Sequence, residues 1–198
     1  MDESGTADRL GDKPADGKLR VVHAFVNTRN GSGREDFPNP DALRDWLAGH
    51  DLISPRVRLN NADLEQARCV RDALVRLALA RQSGQQDTDA IETLNRAAGR
   101  AQMAVSFDAD GRGRIRPLAP AADGALGAII AIVFEAMTDG TWNRLKICRD
   151  PSCAFAFYDR SKNRSGAWCD IASCGNVAKA RTFRARHAHH AHHTRNAS

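Results

Sequence analysis

Tyrosine occurs once in this chain, tryptophan three times and cysteine five times among 198 residues. With so few aromatics and 27% charged residues, the composition is that of a soluble globular protein with disordered ends. Long apolar runs are missing too. The longest, Ala125 to Phe134, stops at Glu135 and falls short of the ~20 residues that a bilayer span needs. It reads as a buried helix, and no membrane partner is expected. The start, MDESGTADRLGDKPADGK, is polar and acidic without an apolar stretch, which argues against a secretory signal. The expected compartment is therefore the cytoplasm, where thiols stay reduced and clustered cysteines hold metal more often than each other. No internal repeat is present. Nor can an acid, a base and a nucleophile be placed together, so the chain is not expected to be an enzyme.

What is present divides unevenly. From Arg144 onward, 11 Lys and Arg stand against 3 Asp, a net charge of +8, whereas the residues before it carry −3. An acidic body with a basic C-terminal quarter is the asymmetry of a protein whose end meets a polyanion. The same charges would also solvate a small domain and offset the negative charge of a metal site.

The length supports one core plus a small module. Residues 1–18 read as a disordered leader. LRVVHAFV, Leu19 to Val26, suits a strand or a short buried helix, and the Gly, Asn and Pro of NGSGREDFPNP make a loop. A short helix follows Pro40, with Asp41 able to cap it, and a longer one follows Asn60 or Asn61, with Leu64, Ala67, Val70 and Leu74 at helical spacing. A third helix should begin near Thr88. AQMAVSFDADGRGRIRPL alternates as two strands about an Asp-Gly turn, a turn being a better account of Asp108 and Asp110 than a calcium loop. Asp123 to Met137 is the most apolar helix and the expected centre of the core. The fold class is α+β: a mainly helical domain over 19–142 with a small β-hairpin, then a small hairpin-plus-helix module over 143–187 and a disordered His-rich tail over 188–198. Adventitious metal binding is all that is expected of HAHHAHH in that tail.

The module carries CRDPSCAFAFYDRSKNRSGAWCDIASCGN, in which Cys148, Cys153, Cys169 and Cys174 form two CxxxxC pairs. Four soft ligands usually make a tetrahedral thiolate cage around zinc, with Zn–S distances of about 2.3 Å. Pro151 and Ser152 let the first pair turn, and Ala172 and Ser173 the second. The intervening AFAFYDRSKNRSGAW reads as a hairpin lidded over the metal, and the segment has too little apolar material to fold without it. Four thiolates leave no open position for water, so one structural Zn2+ is expected. Ser173 is placed to cap a basic helix starting near Cys174. The fifth cysteine, Cys69, reads as a small core residue of the long helix.

These motifs resemble the CGNR zinc finger family: the two CxxxxC pairs, FYDRSKN, the Trp-Cys, and Cys-Gly-Asn opening a basic helix. Upstream, FVNT at Phe25 to Thr28 and the Leu-rich helices resemble the accompanying ABATE domain, a module named for stress-response transcription regulation. The resemblance covers residues 20–187 and implies a treble-clef-like finger, with zinc on Cys148, Cys153, Cys169 and Cys174, that contacts DNA. Two features depart from the family. Val177 stands where the family has the arginine of its name, and Gly166 and Ala167 replace the basic pair that often precedes the Trp-Cys.

Arg160, Lys162, Arg164, Asn176, Lys179, Arg181, Arg184 and Arg186 are the candidate contacts to DNA. His23, Asn27, Thr28 and Arg29 are candidates for a small-ligand pocket in the upstream domain, with capping and turn formation as the plainer explanation. The expected function is a zinc-containing DNA-binding regulator whose helical domain senses a small-molecule signal or forms a homodimer. A zinc-stabilised protein-interaction module without DNA binding and a thiol redox switch stay open beside it.

Overall fold

The computed structural model describes residues 13–31, 33–181 and 184. Most of the expected leader, the His-rich tail and Arg186 lie outside them. Helix α1 (Leu19–Val26) settles the first ambiguity: Leu19, Val22, Phe25 and Val26 fall on one helical stripe, and all are buried. Helix α2 (Pro40–Gly49) is capped by Asn39, whose side chain accepts from the Ala42 N–H at 2.9 Å. Asn39, rather than Asp41, is the cap because Pro40 takes the first helical position, where its missing N–H costs nothing. Helix α3 (Asn61–Ser83) opens on a reciprocal box in which Asn60 accepts from Asp63 N–H and Asp63 from Asn60 N–H. Helix α4 (Thr88–Arg100) begins where expected, with Asp87 as its cap in place of Thr88, accepting from Ala90 N–H at 3.0 Å.

Strands β1 (Ala104–Phe107) and β2 (Gly113–Arg116) form the expected antiparallel hairpin, with Val105 opposite Ile115. The Asp108 carboxylate accepts from the N–H groups of Asp110 and Arg112 and closes the turn. Helix α5 (Ala121–Thr138) is long and apolar enough to cross a membrane by length and composition alone. Here it packs against α1, α3 and α4, and Leu126, Ile129 and Val133 lie in the core.

Strands β3 (Leu145–Ile147) and β4 (Ala156–Tyr158) pair antiparallel, with Leu145 opposite Tyr158 and Ile147 opposite Ala156. This ribbon corrects the expected lid. The hairpin is not made within the span between the cysteine pairs; its turn is the first CxxxxC pair itself. Because side chains alternate across a strand, the ribbon has two buried faces. Leu145, Ile147, Ala156 and Tyr158 join the helical core. Phe157, with Cys148 and Cys169, forms a second core packed by Phe155, Trp168, Cys153 and Cys174. Burying Leu145, Ile147 and Tyr158 at roughly 1.5–3 kcal/mol each attaches the ribbon to the body. The first half of the segment therefore draws its apolar support from the helical body.

Candidate metal centre

The first cysteine pair is shaped by β3, β4 and one aspartate. Cys148 N–H bonds the Phe155 carbonyl at 2.8 Å, and the N–H groups of Cys153 and Ala154 both reach the Asp150 carbonyl, at 2.9 and 3.0 Å. The Asp150 side chain accepts from Ser152 N–H at 3.1 Å and from its hydroxyl at 2.7 Å. Pro151 and Ser152 do sit in the turn, but Asp150 supplies its acceptors.

The second pair opens the C-terminal helix. Asp170 is the cap there, its carboxylate accepting from Ala172 and Ser173 N–H at 3.0 Å each. Ser173 is displaced from that role, and its hydroxyl lies 3.9 Å from the Cys174 sulfur. Gly175 N–H bonds the Asp170 carbonyl at 3.1 Å, which makes Ile171–Gly175 a π-helical turn before α-helix continues over 176–181. The wider turn carries Cys174 toward Cys169.

The four sulfurs lie within 4.8 Å of one another. Cys153 and Cys169 are 3.6 Å apart, Cys169 and Cys174 3.7 Å. A zinc tetrahedron with 2.3 Å bonds has edges of about 3.8 Å, so the donor set fits the ion in chemistry and in size. Burial pushes the Cys153 thiol up to about 11 and raises that of Cys169 as well. Thiols so placed become thiolates only against a cation, and a dication enclosed by four of them supplies that charge. Cys148, Cys153, Cys169 and Cys174 form one zinc site.

Between the pairs the chain turns on a buried ion pair. Asp159 lies 2.8 Å from the Lys146 ammonium and accepts from Ser161 N–H at 3.0 Å and Gly166 N–H at 2.8 Å. Lys146 also donates to the carbonyls of Arg164 and Gly166. Burial opposes ionisation of Asp159, but the hydrogen bonds from Lys146, Ser161 and Gly166 outweigh it and hold the carboxyl well below the usual carboxylate range. The same contact explains glycine at 166, since a Cβ there would stand 2.8 Å from the Asp159 carboxyl carbon.

The candidate cations fall into two exposed groups. Arg160, Lys162 and Arg164 lie on the loop after β4, and Lys179, Arg181 and Arg184 on the C-terminal helix. Arg160 bonds Asp16 at 2.6 Å and lies over the Tyr158 ring; Arg181 reaches Asp150 at 3.9 Å. Asn176 is exposed and donates to the Ala172 carbonyl at 2.9 Å. Val177 is 49% exposed.

The candidate pocket residues have other work. Asn27 and His23 are buried against β4, where the Asn27 carboxamide accepts from Ala156 N–H at 2.8 Å and donates to its carbonyl at 3.0 Å. That carbonyl also lies 2.9 Å from His23 Nε2, and can bond it only if this nitrogen carries the proton. Thr28 donates to the Phe25 carbonyl, and Arg29 pairs with Asp72. An open cleft of about 300 Å³ lies elsewhere, lined by Leu52, Ile53, Val57, Pro117 and Ala125 among others. Cys69, expected in the core, is exposed, because Ala67 and Val70 take the buried face of α3. Sequence reasoning passed over Asp159, Lys146 and Asp170; an aspartate two positions before Ala172, at the head of the expected basic helix, was the signal for the last.

Two family models match the chain. The ABATE model, described as "Putative stress-induced transcription regulator", matches residues 19–140. The CGNR zinc finger model matches residues 144–187. No curated protein matches.

Proposed function

The chain belongs to the ABATE family and carries a CGNR zinc finger after that domain, and on that premise we propose that it is a transcription regulator that binds DNA through the finger. The observation that carries this reading is how charge is used there. All three acids of the finger are occupied within it: Asp150 in the first turn, Asp159 with Lys146, Asp170 as a helix cap. Lys162, Arg164, Lys179 and Arg184 are exposed around this core, while Arg160 bonds Asp16. Cations placed outward suit phosphates better than they suit the thiolates. Zinc is structural in this reading, since four sulfurs leave no open coordination position, and no catalysis is assigned. A homodimer would extend the few bases one finger reads. The cleft beside α5 is where a small-molecule signal would enter the helical body. Action inside the cell accords with reduced thiols.

Fluorescence anisotropy with labelled duplex DNA over a salt series tests the proposal. Four phosphate contacts give a slope of log affinity against log salt of about −3.6. A slope near zero, with no binding at physiological salt, would overturn it in favour of a protein-interaction module. That second reading draws on two exposed apolar side chains near the start of the helix, Ile171 at 62% and Val177 at 49%.

A further inference from the structure

A two-stranded ribbon is marginal in water, and β3 and β4 have three residues each. Besides its buried face, this one is held at its edges. Ile147 and Ala156 face each other, and since the neighbouring rung is the one joined by the Cys148 to Phe155 bond, the N–H and C=O groups of Ile147 and Ala156 point outward. Both edges are met at that same rung. Gln82, near the end of α3, accepts from Ile147 N–H at 2.6 Å and donates to its carbonyl at 3.0 Å. Asn27, just after α1, does the same for Ala156 at 2.8 and 3.0 Å. Each carboxamide stands in for one peptide unit of a missing strand. A third contact touches the knuckle itself: Gly31 N–H bonds the Cys153 carbonyl at 2.9 Å. The approach is so close that a Cβ on Gly31 would come within 2.6 Å of the Ser152 carbonyl oxygen.

We propose that Asn27, Gln82 and Gly31 are positioning residues of the zinc site, through which the helical body presets Cys148 and Cys153 for the ion. The inference rests on the zinc site and is independent of DNA binding. Ordering a flexible loop is a cost that metal binding ordinarily has to offset. Here the body has already ordered the half of the loop that carries the first two sulfurs.

The test is the rate at which the full chain gives up zinc to a chromogenic chelator, measured beside circular dichroism. Removing a hydrogen bond one step out from a metal ligand lowers affinity by about 10–100-fold. Asn27→Ala, Gln82→Ala and Gly31→Ala should each release zinc about tenfold faster with helical content unchanged. Gln66→Ala is the control: it removes a carboxamide of the same helix α3 that bonds Asp123 instead, and release should stay at the parent rate. Release within about twofold of the parent in the three variants would overturn the proposal, as would equal acceleration by Gln66→Ala. Should a variant in the core contacts fail to fold, Gly31→Ala decides, because Gly31 is exposed and its replacement removes no core side chain.

Discussion

The two cysteine pairs share one spacing and meet one ion, yet they reach it from different footings. Cys148 and Cys153 sit at the tip of a ribbon whose other face is part of the helical core. Cys169 and Cys174 follow a polar loop, and their segment is tied to the ribbon by the Lys146 and Asp159 pair and by Arg149 N–H on the Ala167 carbonyl. The difference teaches that a metal module need not depend on its metal evenly. One half rests on the neighbouring domain, and the other rests on the ribbon and the small core around the sulfurs.

The largest effect expected from this contrast is on metal removal. With zinc chelated, the segment from Arg160 to Arg184 should become open to trypsin, while the amides of Leu145–Ile147 and Ala156–Tyr158 stay protected from hydrogen exchange. Joint loss of protection in both halves would erase the distinction. Replacing a ligand samples the same contrast. Structural zinc binding is worth about 10–16 kcal/mol over four ligands, so Cys148→Ser and Cys174→Ser should each weaken zinc on the order of a hundredfold. Both variants should leave the ribbon amides as protected as in the parent, since the helical core holds them.

A smaller effect is expected at the tie between the halves. Removing one partner of a buried ion pair strands the other, so Asp159→Asn should cost about 3 kcal/mol, read by urea unfolding at pH 7. Its pH dependence has a definite sign. The folded carboxyl titrates below its unfolded value of about 3.9, so the stabilisation is complete above that value and is withdrawn as pH falls through the lower, folded one. The gap between parent and variant should therefore begin to narrow below about pH 4 and stay constant above pH 6.

The legible parts of this molecule are those in which neighbours in sequence do the work. The sulfur set was readable because four thiols at repeated spacing have one common use, and β1 and β2 because an Asp-Gly turn joins them. Helix α1 was ambiguous because eight residues, six of them apolar, suit either period until a core is present to choose. The ribbon was misplaced because β3 offers three residues before the first cysteine, too few to show alternation. Gln82 had no signal at all. A glutamine near a helix end reads as solvated, and its partner Ile147 lies 65 residues away. Asn27 and Gly31 were visible as cap and turn residues, the ordinary uses of Asn and Gly, while their contacts with the knuckle depend on the assembled fold.

The smallest structural change carries the sharpest functional question. Val177 stands four and seven residues before Arg181 and Arg184, so the three share one stripe of the helix. At 49% exposure the position has room for a longer side chain, and Val177→Arg should leave stability within about 0.5 kcal/mol. If the outward cations meet phosphates, the added charge steepens the salt slope by about 0.9 and strengthens binding several-fold at physiological salt. The zinc release rate should not move, because position 177 bonds neither knuckle nor ribbon edge in the way that Asn27, Gln82 and Gly31 do. An unchanged salt slope would mean that this stripe faces away from DNA, and the exposed Ile171 and Val177 would then mark a protein contact instead.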